Sequence, residues 1–355
     1  MSIRIHMIRT RYPHWGEHSG IFQYVKHLDH KEFVIDMCLV PDSDADFPIK
    51  NQISRRVVKY VLQKRGMEWY KLSDLTAEMR ALSSCRHNQI DIVHYLDGEH
   101  TAQFLPCMLK KIRKARPKIV ATYHQPPELL DSLIRRDVIK RLDCIIAVSP
   151  DQASYFSDRV GAANVKMILH GVDTDYFTSG DQENKKKKFK CITVGHWLRD
   201  FETFRNVAER LKDNCRVEFD IVSSQVSEMK DLPNVYIHKN IEDAKLLELY
   251  QEADLLFLPL IKCTANNALL EGIACGLPVV STSIPAVKAY VPGQEALLVE
   301  NNDPTRFAEA ILYLSGNQKC RRKMARGARK RAEQLDWRNI AAQYENVYSE
   351  LVNEL

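Results

Sequence analysis

The feature that most constrains this chain is a series of short apolar or alternating runs with helix-length segments between many of them. IRIHMI (3 to 8), VIDMCLV (34 to 40), DIVHYL (91 to 96), KIVATYH (118 to 124), CIIAVS (144 to 149) and VKMILHG (165 to 171) make up a first set. KCITVG (190 to 195), RVEFDIVS (216 to 223), NVYIHKN (234 to 240), DLLFLPL (254 to 260), PVVST (278 to 282) and ALLVE (296 to 300) make up a second. Strands separated by helix-length stretches imply parallel sheets covered by helices. Ile21, Val25 and Leu28, at i, i+4 and i+7 after Gly20, predict an α-helix behind the first strand.

Between the two sets lies TSGDQENKKKK (178 to 188), which has no apolar residue and reads as an exposed connection. The expected organisation is therefore a domain over 1–177, a linker over 178–188, a second domain over 189–335 and a terminal helix over 336–355. That helix places Ile340, Tyr344, Val347 and Leu351 on one face, which is expected to pack back towards the first domain. Open α/β sheets bind ligands at the carboxyl ends of their strands, so two doubly wound domains facing across a cleft suit an enzyme with two substrates.

Composition narrows the class. At 355 residues, 45% hydrophobic and 27% charged, the chain has the profile of a soluble globular protein, and a formal charge of +5 does not call for nucleic acid. Nine scattered cysteines, never a close CxxC pair, argue against a disulfide framework or a zinc site and for the reducing cytoplasm. No run approaches the roughly 18 apolar residues of a membrane span, and the first residues lack a signal-type apolar core. Two basic stretches, 109–118 and 319–331, read as solvated helix faces or as peripheral contacts with the inner face of the cytoplasmic membrane. The acidic DTD at 173 to 175 sits in an inter-domain segment, so no metal site is expected there.

The stretch KCTANNALLEGIACGLPVVST (262 to 282) carries the densest chemistry. Asparagine caps helices, so Asn266 and Asn267 predict a helix start, whose unpaired N–H groups and positive dipole end favour an anion. Glu271, about one turn in, can accept two hydrogen bonds from a vicinal diol such as a ribose. An ordinary capped helix with a peripheral glutamate is the alternative reading of the segment alone.

From NVYIHKN through PVVST the chain closely resembles the donor-binding region of the retaining, nucleotide-sugar-dependent glycosyltransferases of the GT-B fold, group 1 type. AVSPDQASYF (147 to 156), ILHGVDTDYF (168 to 177) and DWRNIAAQYENVY (336 to 348) extend the likeness over most of the chain. The resemblance implies two Rossmann-like domains and a nucleoside-diphosphate sugar as donor substrate, a UDP-sugar by default, with no cofactor and no metal. It implies that Glu271 binds the donor ribose, and that the amides of Asn266, Asn267 and Ala268 hold the diphosphate and sugar.

The sequence also departs from the family pattern. The first glutamate of the family's paired-glutamate signature falls on Cys263, followed by Thr264, which puts the usual sugar contacts in question. Asn266 replaces a glycine, a swap compatible with positive φ. The loop cations expected after Gly195 fall on His196 and Phe201, so Arg199 is nominated as the phosphate-gripping replacement, with His196 a weaker donor. In the first domain the likeness places Gly20 against the donor phosphates and His124 near the reacting sugar. His18, Asp97, Glu99 and His100 are candidate acceptor contacts.

The expected activity is transfer of a sugar to a hydroxyl acceptor, a glycan or lipid-linked glycan, as in cell-surface polysaccharide synthesis, with His124 and Arg199 as the catalytic pair. Loss of the acidic residue at 263 and the altered loop leave two alternatives: a non-catalytic sugar-nucleotide-binding subunit, and a sugar-nucleotide epimerase of the same architecture. Oligomeric state is left open.

Overall fold

A computed structural model describes residues 2–11, 16–63, 68–87, 89–109, 116–180, 188–214, 216–226, 229 and 231–353. The chain divides into two compact units: Met1–Trp15, Ile21–His170 and Arg338–Leu355 form the first, and Gly16–Gly20 with Gly171–Trp337 the second. All twelve apolar runs are strands.

In the first unit, β1 (Ile3–Arg11), β2 (Phe33–Pro41), β3 (Ile92–Tyr95), β4 (Lys118–Tyr123), β5 (Cys144–Ala147) and β6 (Val165–Met167) form one sheet in the order β2-β1-β3-β4-β5-β6. Every pairing is parallel, with Ile5 registered against both Ile35 and Ile92. All residues of β3 and β5 are buried, the pattern of strands covered on both faces, which is why their sequences are continuous apolar runs rather than alternations. Glu78 is fully buried in this core and is compensated there: it accepts the Tyr70 and Tyr95 hydroxyls and the amides of Gln103, Phe104 and Leu105.

Residues 21 to 27 differ from expectation. They form a 3₁₀ run rather than an α-helix, burying Ile21, Gln23 and Tyr24 while leaving Val25 partly exposed. The three-residue turn puts Tyr24 beside Ile21 on the inner face, where its hydroxyl meets the Tyr348 hydroxyl at 2.7 Å and its ring stacks on Tyr344. A tertiary contact thus overrides the local period. Tyr348 and Tyr344 belong to the terminal helix Trp337–Asn353, whose Ile340, Tyr344, Val347 and Leu351 are all buried.

The second unit has β7 (Phe189–Val194), β8 (Val217–Val222), β9 (Val235–His238), β10 (Leu255–Leu258), β11 (Val279–Thr282) and β12 (Ala296–Val299) in the order β12-β11-β10-β7-β8-β9, again all parallel. Read outward from β7, this is the doubly wound order whose switch point lies between β7 and β10. Phe204, Phe219, Phe257 and Phe307 pack ring against ring in its core. The basic stretch 319–331 lies on the helix Gln318–Gln334, and three of its arginines turn inward. Arg321 donates to the carbonyls of Leu314 and Ser315, Arg329 to those of Thr174, Ala274 and Phe177, and Arg331 to those of Ala289 and Tyr290. Most of the other basic stretch, 110–115, and most of the linker, 181–187, lie outside the described residues. Among the described residues, no helix is long and apolar enough to cross a membrane.

Candidate active site

In the second unit the loops leaving β7 and β10 meet at the switch point, and the chemistry gathers there. The helix Asn267–Ala274 begins where expected, with Asn266 as N-cap: its Oδ1 accepts the Leu269 amide at 3.2 Å. Asn266 itself is extended, at φ −132°, so this position does not use left-handed backbone. The asparagine replaces glycine through its capping side chain, which needs an extended residue at that point. Its Nδ2 is buried and has no hydrogen-bond partner among the described residues, a donor left over at the mouth of the helix. The helix ends at Gly276, where φ of +74° sets the left-handed turn into Pro278 and β11.

Glu271 lies on the second turn of this helix and is buried. Each carboxylate oxygen has a hydroxyl partner: Ser19 Oγ donates to Oε1 at 2.6 Å and Tyr250 OH to Oε2 at 2.9 Å. Burial raises its pKa, against the opposing pull of these two hydrogen bonds and of Arg199. Glu271, Asn267, Ser19, Gly20, Gly171 and Trp337 line a small hollow.

Arg199 faces the same helix start. Its Nε and Nη2 donate to the Val194 carbonyl at 3.0 and 2.8 Å, Nη1 to the Trp197 carbonyl at 3.2 Å, and Nη2 also to Asn266 Oδ1 at 3.1 Å. The guanidinium therefore ties the end of β7 to the helix cap. Burial lowers its pKa, opposed by Cys263, Tyr250 and Glu271. Gly195, with φ of +89°, lies so close that a Cβ would sit 3.1 Å from Arg199 Nη2. His196 supplies the carbonyl that accepts the Arg199 amide. Cys263 is partly buried, and Thr264 and Ala268 are buried.

The strap Gly16–Gly20 is held by three carboxylates of the second unit in succession: Asp243 accepts the Glu17 amide, Asp173 meets His18 Nδ1 at 2.8 Å, and Glu271 accepts Ser19. His18 also stacks on Tyr176 at 3.5 Å. Asp173, the first acid of DTD, additionally accepts the Asp175 and Tyr176 amides, so it shapes a turn. Thr174 donates to Asp336.

The first unit has its own polar cluster after β3 and β4. Asp97 accepts the Thr10 amide at 2.9 Å, and Glu99 accepts the His124 amide at 3.1 Å. His124 Nε2 lies 2.6 Å from the Leu96 carbonyl, which can only accept; in the neutral ring the proton therefore sits on Nε2 and Nδ1 is an acceptor. Burial raises the pKa of Asp97 and pushes Glu99 to about 7. His100 stacks instead on Trp69, and burial pulls its pKa down to about 3.

The two halves match two family models. Residues 20–176 match Glycosyltransferase Family 4 and residues 189–317 match Glycosyl transferases group 1. The chain belongs to the group 1 glycosyltransferases. Among curated relatives, D-inositol 3-phosphate glycosyltransferase of Corynebacterium urealyticum is 34% identical over 108 residues, 30% of this chain but only 26% of that protein. N-acetyl-alpha-D-glucosaminyl L-malate synthase of Bacillus anthracis is 25% identical over 315 residues, covering 80% of this chain and 81% of that one. Sucrose-phosphate synthase from Thermosynechococcus elongatus superimposes with a TM-score of 0.74 at 15% identity, over 99% of this chain and all of that one, a likeness of GT-B fold.

Within this glycosyltransferase, Ser19 and Tyr250, the two donors to Glu271, escape a sequence reading. Ser19 sits more than two hundred residues from its partner, and Tyr250, in LELYQE, looks like any core aromatic of a helix. Only the packing of the Gly16–Gly20 strap and the helix Asp243–Glu252 against the helix Asn267–Ala274 gives them a meaning.

Proposed function

We propose that this group 1 glycosyltransferase is a retaining enzyme that moves a sugar from a nucleoside-diphosphate donor to a hydroxyl of a glycan or lipid-linked glycan. The observation that carries this reading is Glu271: a buried carboxylate on a capped helix at the switch point, lining a hollow, with the orphaned Asn266 Nδ2 at the helix mouth. Such a carboxylate suits the ribose diol, and the first-turn amides of Asn267 and Ala268 suit the diphosphate, since they have no acceptor within the helix.

In the reaction, the anomeric C–O bond to the donor phosphate breaks as the acceptor oxygen bonds to the same face, and the acceptor proton passes to the departing phosphate oxygen. Arg199 stabilises that phosphate, directly through its remaining Nη1 hydrogen and indirectly by fixing Gly195 and Asn266. His124, with Nδ1 as an acceptor, orients a sugar hydroxyl. The same reading makes the transfer metal-independent and cytoplasmic, part of polysaccharide synthesis, with a UDP-sugar as the first donor to try.

Cys263, where the family pattern has an acid, favours one competing reading, a binding subunit without turnover. Incubation with a panel of UDP-, GDP- and ADP-sugars, read by nucleotide release and by NMR of the product anomer, separates the two. Release with the donor's anomeric configuration kept, lost in Glu271→Ala and reduced about 10- to 1,000-fold in Arg199→Ala, is expected. Nucleotide binding without release would favour the binding subunit, and an inverted anomer would overturn the retaining mechanism.

A further inference from the structure

The helix Gln52–Gln63 in the first unit has two apolar faces. One is internal: Leu62, with partly buried Val58, packs on Phe47, Tyr70 and Leu72. The other faces solvent. Ile53 is 73% exposed, Val57 57%, Tyr60 59% and Val61 47%, at i, i+4, i+7 and i+8, and Ile49 just upstream is 42% exposed. A surface helix needs one apolar stripe to face its core. A second, contiguous stripe on the outside marks a surface that meets something apolar, unlike singly scattered exposed side chains.

Charge indicates what that something is. Residues 47 to 63 contain Lys50, Arg55, Arg56 and Lys59 and no Asp or Glu. Asp44 draws Arg55 and Lys59 to the inner edge, through its carbonyl and through its carboxylate at 2.9 Å, yet the Lys59 side chain stays 44% exposed. Arg56 and Lys50 are exposed. An apolar stripe on a segment whose own charged residues are all cations is complementary to the acyl boundary and anionic headgroups of a membrane. A second copy of the chain would bring the same cations face to face across a two-fold axis, which like-charge repulsion disfavours.

We propose that the outer face of the helix Gln52–Gln63 docks on an anionic membrane surface, inserting Ile53, Val57, Tyr60 and Val61. This surface is independent of the site around Glu271 and of the sugar donor.

Co-sedimentation with phosphatidylcholine vesicles containing about one-third phosphatidylglycerol tests it, beside pure phosphatidylcholine vesicles. Salt-sensitive binding to the anionic vesicles alone is expected. Ile53→Ser/Val57→Asp should weaken that binding about tenfold or more, because it keeps two apolar side chains out of the acyl region, while circular dichroism and melting stay unchanged. Absence of binding by the unaltered protein, equal binding by the variant, or equal binding to neutral vesicles would each overturn the proposal. So would dimerisation abolished by the variant without vesicle binding, which would assign the face to a second copy, or capture of an acidic protein without vesicle binding. Should the double variant lose its fold, Val57→Cys carrying an environment-sensitive dye serves instead: a blue shift on anionic vesicles supports the proposal and unchanged emission overturns it.

Discussion

Tyr250→Phe removes one oxygen from a fully buried side chain and leaves Glu271 Oε2 without its 2.9 Å donor. The ring is kept, so no cavity opens. A hydrogen bond to a charged group contributes about 1.5–3 kcal/mol, and a buried acceptor left unpaired carries a comparable penalty, so a loss of about 2 kcal/mol is expected. For a unit of this size that lowers the melting temperature by about 4–8 °C. The loss should depend on pH. Burial already raises the Glu271 pKa, and the Tyr250 bond opposes that rise; without it the pKa rises further. The penalty for burying the charged form is therefore full above the folded-state pKa and fades as pH falls through it towards the unfolded value, because protonation in the folded state relieves it. Melting of Tyr250→Phe, Glu271→Gln and the double variant at several pH values measures this. The deficit should be largest at alkaline pH, and the cycle should show a coupling of about 0.5–3 kcal/mol. A Tyr250→Phe deficit of the same size with Gln at 271 would mean that the hydroxyl stabilises the fold by some route other than the carboxylate.

Three further outcomes are expected. Burial moves the Glu99 carboxyl from 4.5 to about 7, so stability falls by about 3 kcal/mol as pH rises across that window and is level above it; urea midpoints against pH should flatten in Glu99→Gln, and parallel profiles would refute the assignment. At Gly272 a Cβ would lie 2.6 Å from Leu256 Cδ2, so Gly272→Ala should destabilise by about 1–3 kcal/mol, with partial relief in combination with Leu256→Ala; a neutral single variant in thermal melts would contradict this. Arg329→Ala leaves the carbonyls of Thr174, Ala274 and Phe177 without its donors and should cost at least about 3 kcal/mol by urea denaturation, with lysine rescuing only part because one ammonium cannot span three acceptors.

Local composition determined much of this protein. The β-branched runs and the stretches between them carry the twelve strands and both parallel sheets, because a strand covered on both faces must be apolar throughout its length. The helix start at Asn266 was legible because a cap is a property of a single residue. The 3₁₀ run at Ile21–His27 was not, because its turn follows Tyr24 reaching the hydroxyl of Tyr348, a partner 324 residues away. The nominated loop arginine was readable as a cation, but apart from Asn266 Oδ1 its partners are backbone carbonyls, which carry no residue identity in a sequence. Glu271 could be singled out from its neighbours on the helix; that Ser19 and Tyr250 hold its two oxygens was decided by tertiary packing, which sets the Gly16–Gly20 strap and the helix Asp243–Glu252 against the helix that carries Glu271.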